Sequence, residues 1–193
     1  MKMLEIGIPA EIHSWLGQFK SAPLEEAYRE TYLDRDRLQA IIIVGLLLIF
    51  NLLFISSDKE LLGNEQPIYH IILAVRLFLT LFNLFYFYLL LQFKEPKQFD
   101  RVTFLALIST CSAILYIDST RPPTFFFHLL IDITIIFSIY IFFPTQLILQ
   151  IITATYFSLG VCFILLTRKN IPHVAEQCIW SALLFANFFW VFG

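Results

Sequence analysis

The sequence predicts an all-α membrane protein, a six-transmembrane-helix bundle with N-terminal amphipathic and stalk helices. Three observations predict it. Of 193 residues, 59% are hydrophobic and 15% charged, with 22 Phe and a mean hydropathy of +0.76, whereas a soluble domain carries about 45–50% apolar and about 25% charged residues. The apolar residues gather into six runs, each near the ~20 residues that cross about 30 Å of hydrocarbon. Turn-forming residues separate several of the runs, as at Arg121-Pro122-Pro123 and Pro144-Thr145-Gln146.

The chain divides into residues 1–37, expected to be cytoplasmic helices, and residues 38–193, the spans. Over residues 9–20, Ile12, Trp15, Leu16 and Phe19 recur at i, i+3, i+4 and i+7, opposite Glu11, His13, Ser14, Gln18 and Lys20. This pattern predicts a short amphipathic helix that lies on the membrane surface or docks on the protein. Pro23 opens a polar stalk. Glu25 and Glu26 sit in its first turn, where they complement the helix dipole, and Glu25 and Arg29 are spaced to pair at i, i+4. Leu24, Tyr28 and Tyr32 form its apolar stripe. No breaker separates the stalk from the first span, so the two read as one helix.

The spans are expected at Leu38–Ile55, Ile68–Phe93, Val102–Ile117, Thr124–Phe143, Gln146–Leu166 and Val174–Phe192. Pro144 splits an apolar run too long for one crossing, because proline disfavours helix at the residue before it. With the N-terminus cytoplasmic, Lys20, Arg29, Arg35, Arg37, Lys94, Lys97 and Arg101 lie inside. Lys59, Arg121, Arg168 and Lys169 then lie outside, and seven against four favours this orientation. An even number of spans returns the C-terminus to the cytoplasm. Because the sequence closes at the end of its last apolar run, it is expected to be the membrane portion of a longer protein.

A net charge of −2 leaves no electrostatic footprint for nucleic acid. Cys111, Cys162 and Cys178 stand singly within apolar runs, which indicates buried small side chains rather than a zinc site or a disulfide framework. The first twenty residues lack the continuous apolar core of a cleavable signal peptide. No phosphate loop, nucleophile elbow or metalloprotease motif occurs, so no catalytic residue and no metal ligand is assigned.

Two charges fall well inside the spans, Arg76 and Asp132, nine residues past Pro67 and Pro123 respectively. At 1.5 Å per residue they reach nearly the same depth. An unpaired charge there costs at least about 2.5–3.5 kcal/mol, so an Arg76–Asp132 pair is expected in the bundle interior. His128 lies one turn before Asp132, at a spacing that lets a carboxylate orient an imidazole. The plainest reading of this group is a hydrogen-bonded cluster that fixes helix rotation; a ligand-binding or proton-sensing pocket is the sharper one. His70 and His128 together could hold a haem between helices. Tyr116, Asp118 and Arg121 would line the outer mouth of such a pocket, Arg121 pinning a turn or taking an anion. Tyr86, Tyr88 and Trp190 suit an interfacial belt, the Phe-rich runs suit lipid contact, and Asn51 suits interhelical hydrogen bonding.

The combination of LEEAYRETYLDRDRLQ before the first span, Arg76, FDR at 99–101, STRPP at 119–123 and HLLID at 128–132 resembles the six-span membrane-associated sensor (MASE-like) domains of bacteria. Such modules precede diguanylate cyclases, class III adenylyl cyclases or histidine kinases. The resemblance implies a bacterial inner-membrane location and a homodimer. It also implies a small-molecule or lipid ligand, and a signal passed to a cytoplasmic output, expected to be a cyclase in the reading frame beyond residue 193. Neither a GGDEF motif nor the metal-binding aspartates of a cyclase occur in these residues, so any enzymatic activity would lie elsewhere. The polar groups within and above the spans, Arg76, His128, Asp132, Tyr116, Arg121 and His70, are the candidate ligand-binding or sensing residues. The rival readings are a small transporter or channel, a b-type haem or quinone protein, and a passive anchor.

Overall fold

A computed structural model describes Ile12 and residues 18–63, 66–121 and 127–167, the last segment as backbone alone over 127–130. Five helices follow one another: α1 Ala22–Leu62, α2 Pro67–Leu90, α3 Pro96–Ser119, α4 Phe127–Phe142 and α5 Leu147–Thr167. Helices α1, α2, α3 and α5 are long and apolar enough to cross a membrane, while the apolar stretch of α4 covers Ile131–Phe142. The chain is a helical membrane protein. Six spans were expected and five helices are described; Val174–Phe192, expected as the sixth span, lies outside the described residues, as does Trp190.

Proline stands at or next to the first position of α1, α2 and α3, where its fixed φ suits a helix start and its missing N–H costs nothing. The stalk and first span do form one helix, 41 residues long and therefore about 60 Å. This helix runs two turns past Ile55, where the first span was expected to end. Ser56, Ser57, Asp58, Lys59 and Glu60 include no helix breaker; the chain turns only at Gly63, whose φ of 79° is open to glycine and whose N–H closes the helix on the Lys59 carbonyl.

Of the helix expected over 9–20, only Ile12 and residues 18–20 are described, and the rest lies outside the described residues. Ile12 and Phe19 pair in an isolated antiparallel bridge, and residues 18 and 20 are bends. The Phe19 N–H is taken by the Glu25 carboxylate at 3.0 Å.

Buried positions on α2 fall at Tyr69, Ile72, Arg76, Leu79, Asn83, Tyr86 and Leu90, alternately three and four apart, which is the seam of a left-handed coiled coil. On α1 the matching face holds Leu33, Ala40, Val44, Asn51 and Asp58, at spacings of seven, four, seven and seven. The two helices pack along this seam, so their polar residues point inward while Ile42, Leu46, Ile49, Phe78, Leu81 and Phe85 point outward. Helix α3 packs on both α2 and α5, and α4 packs on α5 and touches α1. One apolar core lies among α1, α2 and α3 around Val44, Leu90 and Phe99. A second lies among α3, α4 and α5 around Ile136, Ile139 and Phe157. Helix α3 is shared by both. Alternating directions place the 63–66 turn and the end of α3 at one end of the bundle, termed here the far end. The α2–α3 link, the Pro144 turn and the stalk meet at the other, the stalk end.

Candidate functional site: two buried ionic clusters joined by one helix

At the far end Asp58, 1% exposed, lies between two arginines. The Arg76 Nε–H donates to its Oδ2 and the Arg121 Nη2–H to its Oδ1. Asp58 thus joins α1 to α2 and to Arg121, two residues past the end of α3. Asn51, two turns earlier on the same face of α1, accepts from Arg76 Nη1 at 3.0 Å. Its amide donates to the Arg76 carbonyl at 3.0 Å and to Thr80 Oγ1 at 2.8 Å. The guanidinium of Arg76 stands 5.4 Å from the Phe54 ring centroid, within cation–π range. A charge at this depth is tolerable because a carboxylate, a side-chain amide and an aromatic face surround it, as buried ions require.

The expected Arg76–Asp132 pair is therefore corrected. Both side chains do face the interior, at 6% and 1% exposure, but Arg76 is engaged by Asp58 and Asn51. The reason is the extra length of α1, which carries a nearer carboxylate alongside α2. Asp132 continues the α4 stripe of Ile136 and Ile139 and, with Asp118, Val161, Ile164 and Leu165, borders a crevice too tight for a water molecule. Arg121 pins the end of α3, its N–H on the Asp118 carbonyl at 3.1 Å, while its head group reaches Asp58.

Other expected site residues separate from this group. Tyr116 is 44% exposed and lies on the outer surface of α3 instead of lining a mouth. His70 is exposed, its ring edge-on to Tyr69 at 5.6 Å, so it does not face the interior as a haem ligand would. His128 lies in the first turn of α4, where only backbone is described. Tyr86 is not an interfacial residue: it is buried, donating to Thr103 Oγ1 at 2.7 Å across α2 and α3. Tyr88 remains exposed, as a belt residue would be. Among the described residues, no group of His, Cys, Asp or Glu could hold a metal ion.

The second cluster, at the stalk end, was not foreseen. Arg29 does not pair with Glu25. Its guanidinium is held by Asp100 of α3, by Asp36 of α1 at 3.4 Å and by the Pro144 carbonyl at 3.3 Å. The Gln146 backbone N–H also donates to Asp100. Burial is the largest influence on both carboxyls and pushes their pKa values up, with Arg29 opposing it. Around this clasp Arg37 donates to the Phe93 carbonyl at 3.2 Å, and Gln39 to the carbonyls of Ile141 and Phe142 at 3.2 and 3.0 Å. The Gln150 amide donates to the Phe143 and Thr145 carbonyls. Lys97 meets Glu26 at 2.8 Å on the exposed rim. The stalk is thus docked on the α2–α3 link and the α4–α5 turn at once. The FDR segment carried the only sequence signal for this, an aspartate beside a helix start.

Both clusters sit on α1, Arg29 near its beginning and Asp58 near its end. They contain no nucleophile paired with a base. What they supply is fixed charge at the two ends of a single rod. Comparison with protein-family models, with curated proteins and with solved structures finds no match for the chain.

Proposed function

We propose that the chain is the membrane-embedded sensory or regulatory domain of a signalling protein. A ligand or membrane condition biases the far-end cluster, and α1 conveys the change to the stalk end and a cytoplasmic output, a nucleotide cyclase. The observation that carries this reading is that α1 contributes a charged residue to each of the two ionic clusters, Arg29 near its beginning and Asp58 near its end. A rigid helix of about 60 Å transmits a tilt or shift over its full length. The signal must act by differential affinity for two arrangements of the bundle, and the ion pairs to Asp58 offer two such arrangements, made or broken. The six-span architecture, the cytoplasmic placement of the stalk end, the inner-membrane location and a homodimer belong to this proposal. The excess of Lys and Arg at the stalk end and the resemblance of the sequence motifs support them.

The test is to join the chain to a cyclase catalytic domain as reporter and measure nucleotide cyclisation in membranes. Arg76→Gln and Asp58→Asn should shift output severalfold at equal membrane abundance. Unchanged output from both variants at equal abundance would leave the passive-anchor reading in place, and solute flux in vesicles would support a transporter instead.

A further inference from the structure

Two carboxylates from different helices converge on one guanidinium at the stalk end, and the arithmetic of that site is uneven. Arg29, Asp36 and Asp100 have side chains 13%, 17% and 5% exposed, so water screens their charges poorly. One cation faces two anions. The remaining groups do not clearly restore the balance. On α1, Glu25 adds negative charge near Asp100 and Arg35 adds positive charge near Asp36. On α3, Lys97 is turned to Glu26, and Arg101 is exposed. Arg37 is engaged by Asp34 and the Phe93 carbonyl. From the α4–α5 turn come only the Pro144 carbonyl and the Gln146 N–H, and residues 141–150 contain no ionisable side chain.

We propose that the Arg29 clasp is a proton-operated latch, in which Asp36 and Asp100 together hold one proton when the stalk is docked on the bundle. Two carboxylates beside one cation ionise in sequence, the second against the first. Uptake of a single proton from the aqueous side leaves a one-to-one ion pair with Arg29, and the stalk stays clasped between the α2–α3 link and the Pro144 turn. Loss of that proton sets two carboxylates against each other in a half-buried site, and the stalk loosens. Asp36, at 3.4 Å against the closer Asp100, is the weaker partner and takes the proton. The upward pKa direction of both carboxyls agrees with this order. The latch goes beyond the sensory reading: it concerns how the stalk is held, whatever the output.

The experiment places spin labels at Glu30→Cys on α1 and Gln98→Cys on α3, both exposed positions, in the full chain in lipid nanodiscs. The interlabel distance distribution is read from roughly pH 4 to pH 8. The expected result is a narrow distribution at low pH that broadens as pH rises, with loss of this dependence in Asp36→Asn, which stays narrow throughout. Arg29→Gln should be broad at every pH. A wild-type distribution independent of pH, or an Asp36→Asn variant that broadens as wild type does, overturns the proposal. These readouts need no cyclase signal, so failure of the latch and failure of the sensory reading are separate results.

Discussion

One carboxylate, Asp58, carries more of the far end than any other side chain described. Removing it takes the shared carboxylate from two buried arginines, and breaking a buried pair by deleting one partner costs about 3–5 kcal/mol. The exposed Asp34–Arg37 pair, with Asp34 at 89% exposure, is of the kind that contributes about 0.2–1 kcal/mol. Asp58→Ala should therefore lower the melting temperature in detergent well below that of Asp34→Ala; equal melting of the two would show the far-end network to be incidental. Arg76 was legible in the sequence as a buried charge that needed a partner, because its depth in an apolar run left no alternative. The partner was not legible, since the first span was expected to end at Ile55 and left Asp58 outside every span. Attention to breakers would have corrected this, Gly63 being the first after Gly45.

The carboxyls of the clasp give a second prediction at the same scale. Asp100 is raised from the ordinary 3.8 by burial, against the opposing influence of Arg29. Between the ordinary and the raised value the folded chain holds more protons than the unfolded one, so this contribution to stability falls as pH rises through that window. The difference in melting temperature between wild type and Asp100→Asn should accordingly change across the window just above 3.8, wild type losing ground as pH rises. A difference that is constant with pH would show that Asp100 titrates as it does in the unfolded chain.

Among the helices, the contrast between two glycines shows where packing is tight. A Cβ at Gly160 of α5 would run into the Leu115 side chain of α3, whereas one at Gly45 of α1 would meet nothing within 4 Å. Gly160→Val should destabilise by about 1–3 kcal/mol through overpacking. Gly45→Ala should stabilise by about 0.5–1 kcal/mol through helix propensity. Thermal melts of the two variants should move in opposite directions, and a Leu115→Ala change should rescue part of the Gly160→Val loss. Helix existence was readable from apolar runs and prolines, and the unbroken α1 from the lack of a breaker before the first span. The coiled-coil seam was harder to see. In α1 and α2 the buried stripe is partly polar (Asn51, Asp58, Arg76 and Asn83) and the lipid face is the more apolar one, so a search for an apolar stripe finds the wrong side.

For the molecule as a whole, the alternation of helix directions puts Lys59 and Lys97 at opposite ends of α2, with some twenty-four residues of helix between them. That length, about 36 Å, exceeds the hydrocarbon thickness. Single cysteines at these two exposed positions should then react with a membrane-impermeant maleimide from opposite faces of the membrane. Cys111 and Cys162 are buried and should stay silent. In the proposed orientation, with the basic stalk end cytoplasmic, Lys59→Cys should label in intact cells and Lys97→Cys only after permeabilisation. The reverse pattern would keep the bundle and invert it, removing the stalk from any cytoplasmic output. Labelling of both positions in intact cells would contradict α2 as a span altogether, and with it the burial of Arg76 on which the far-end cluster depends.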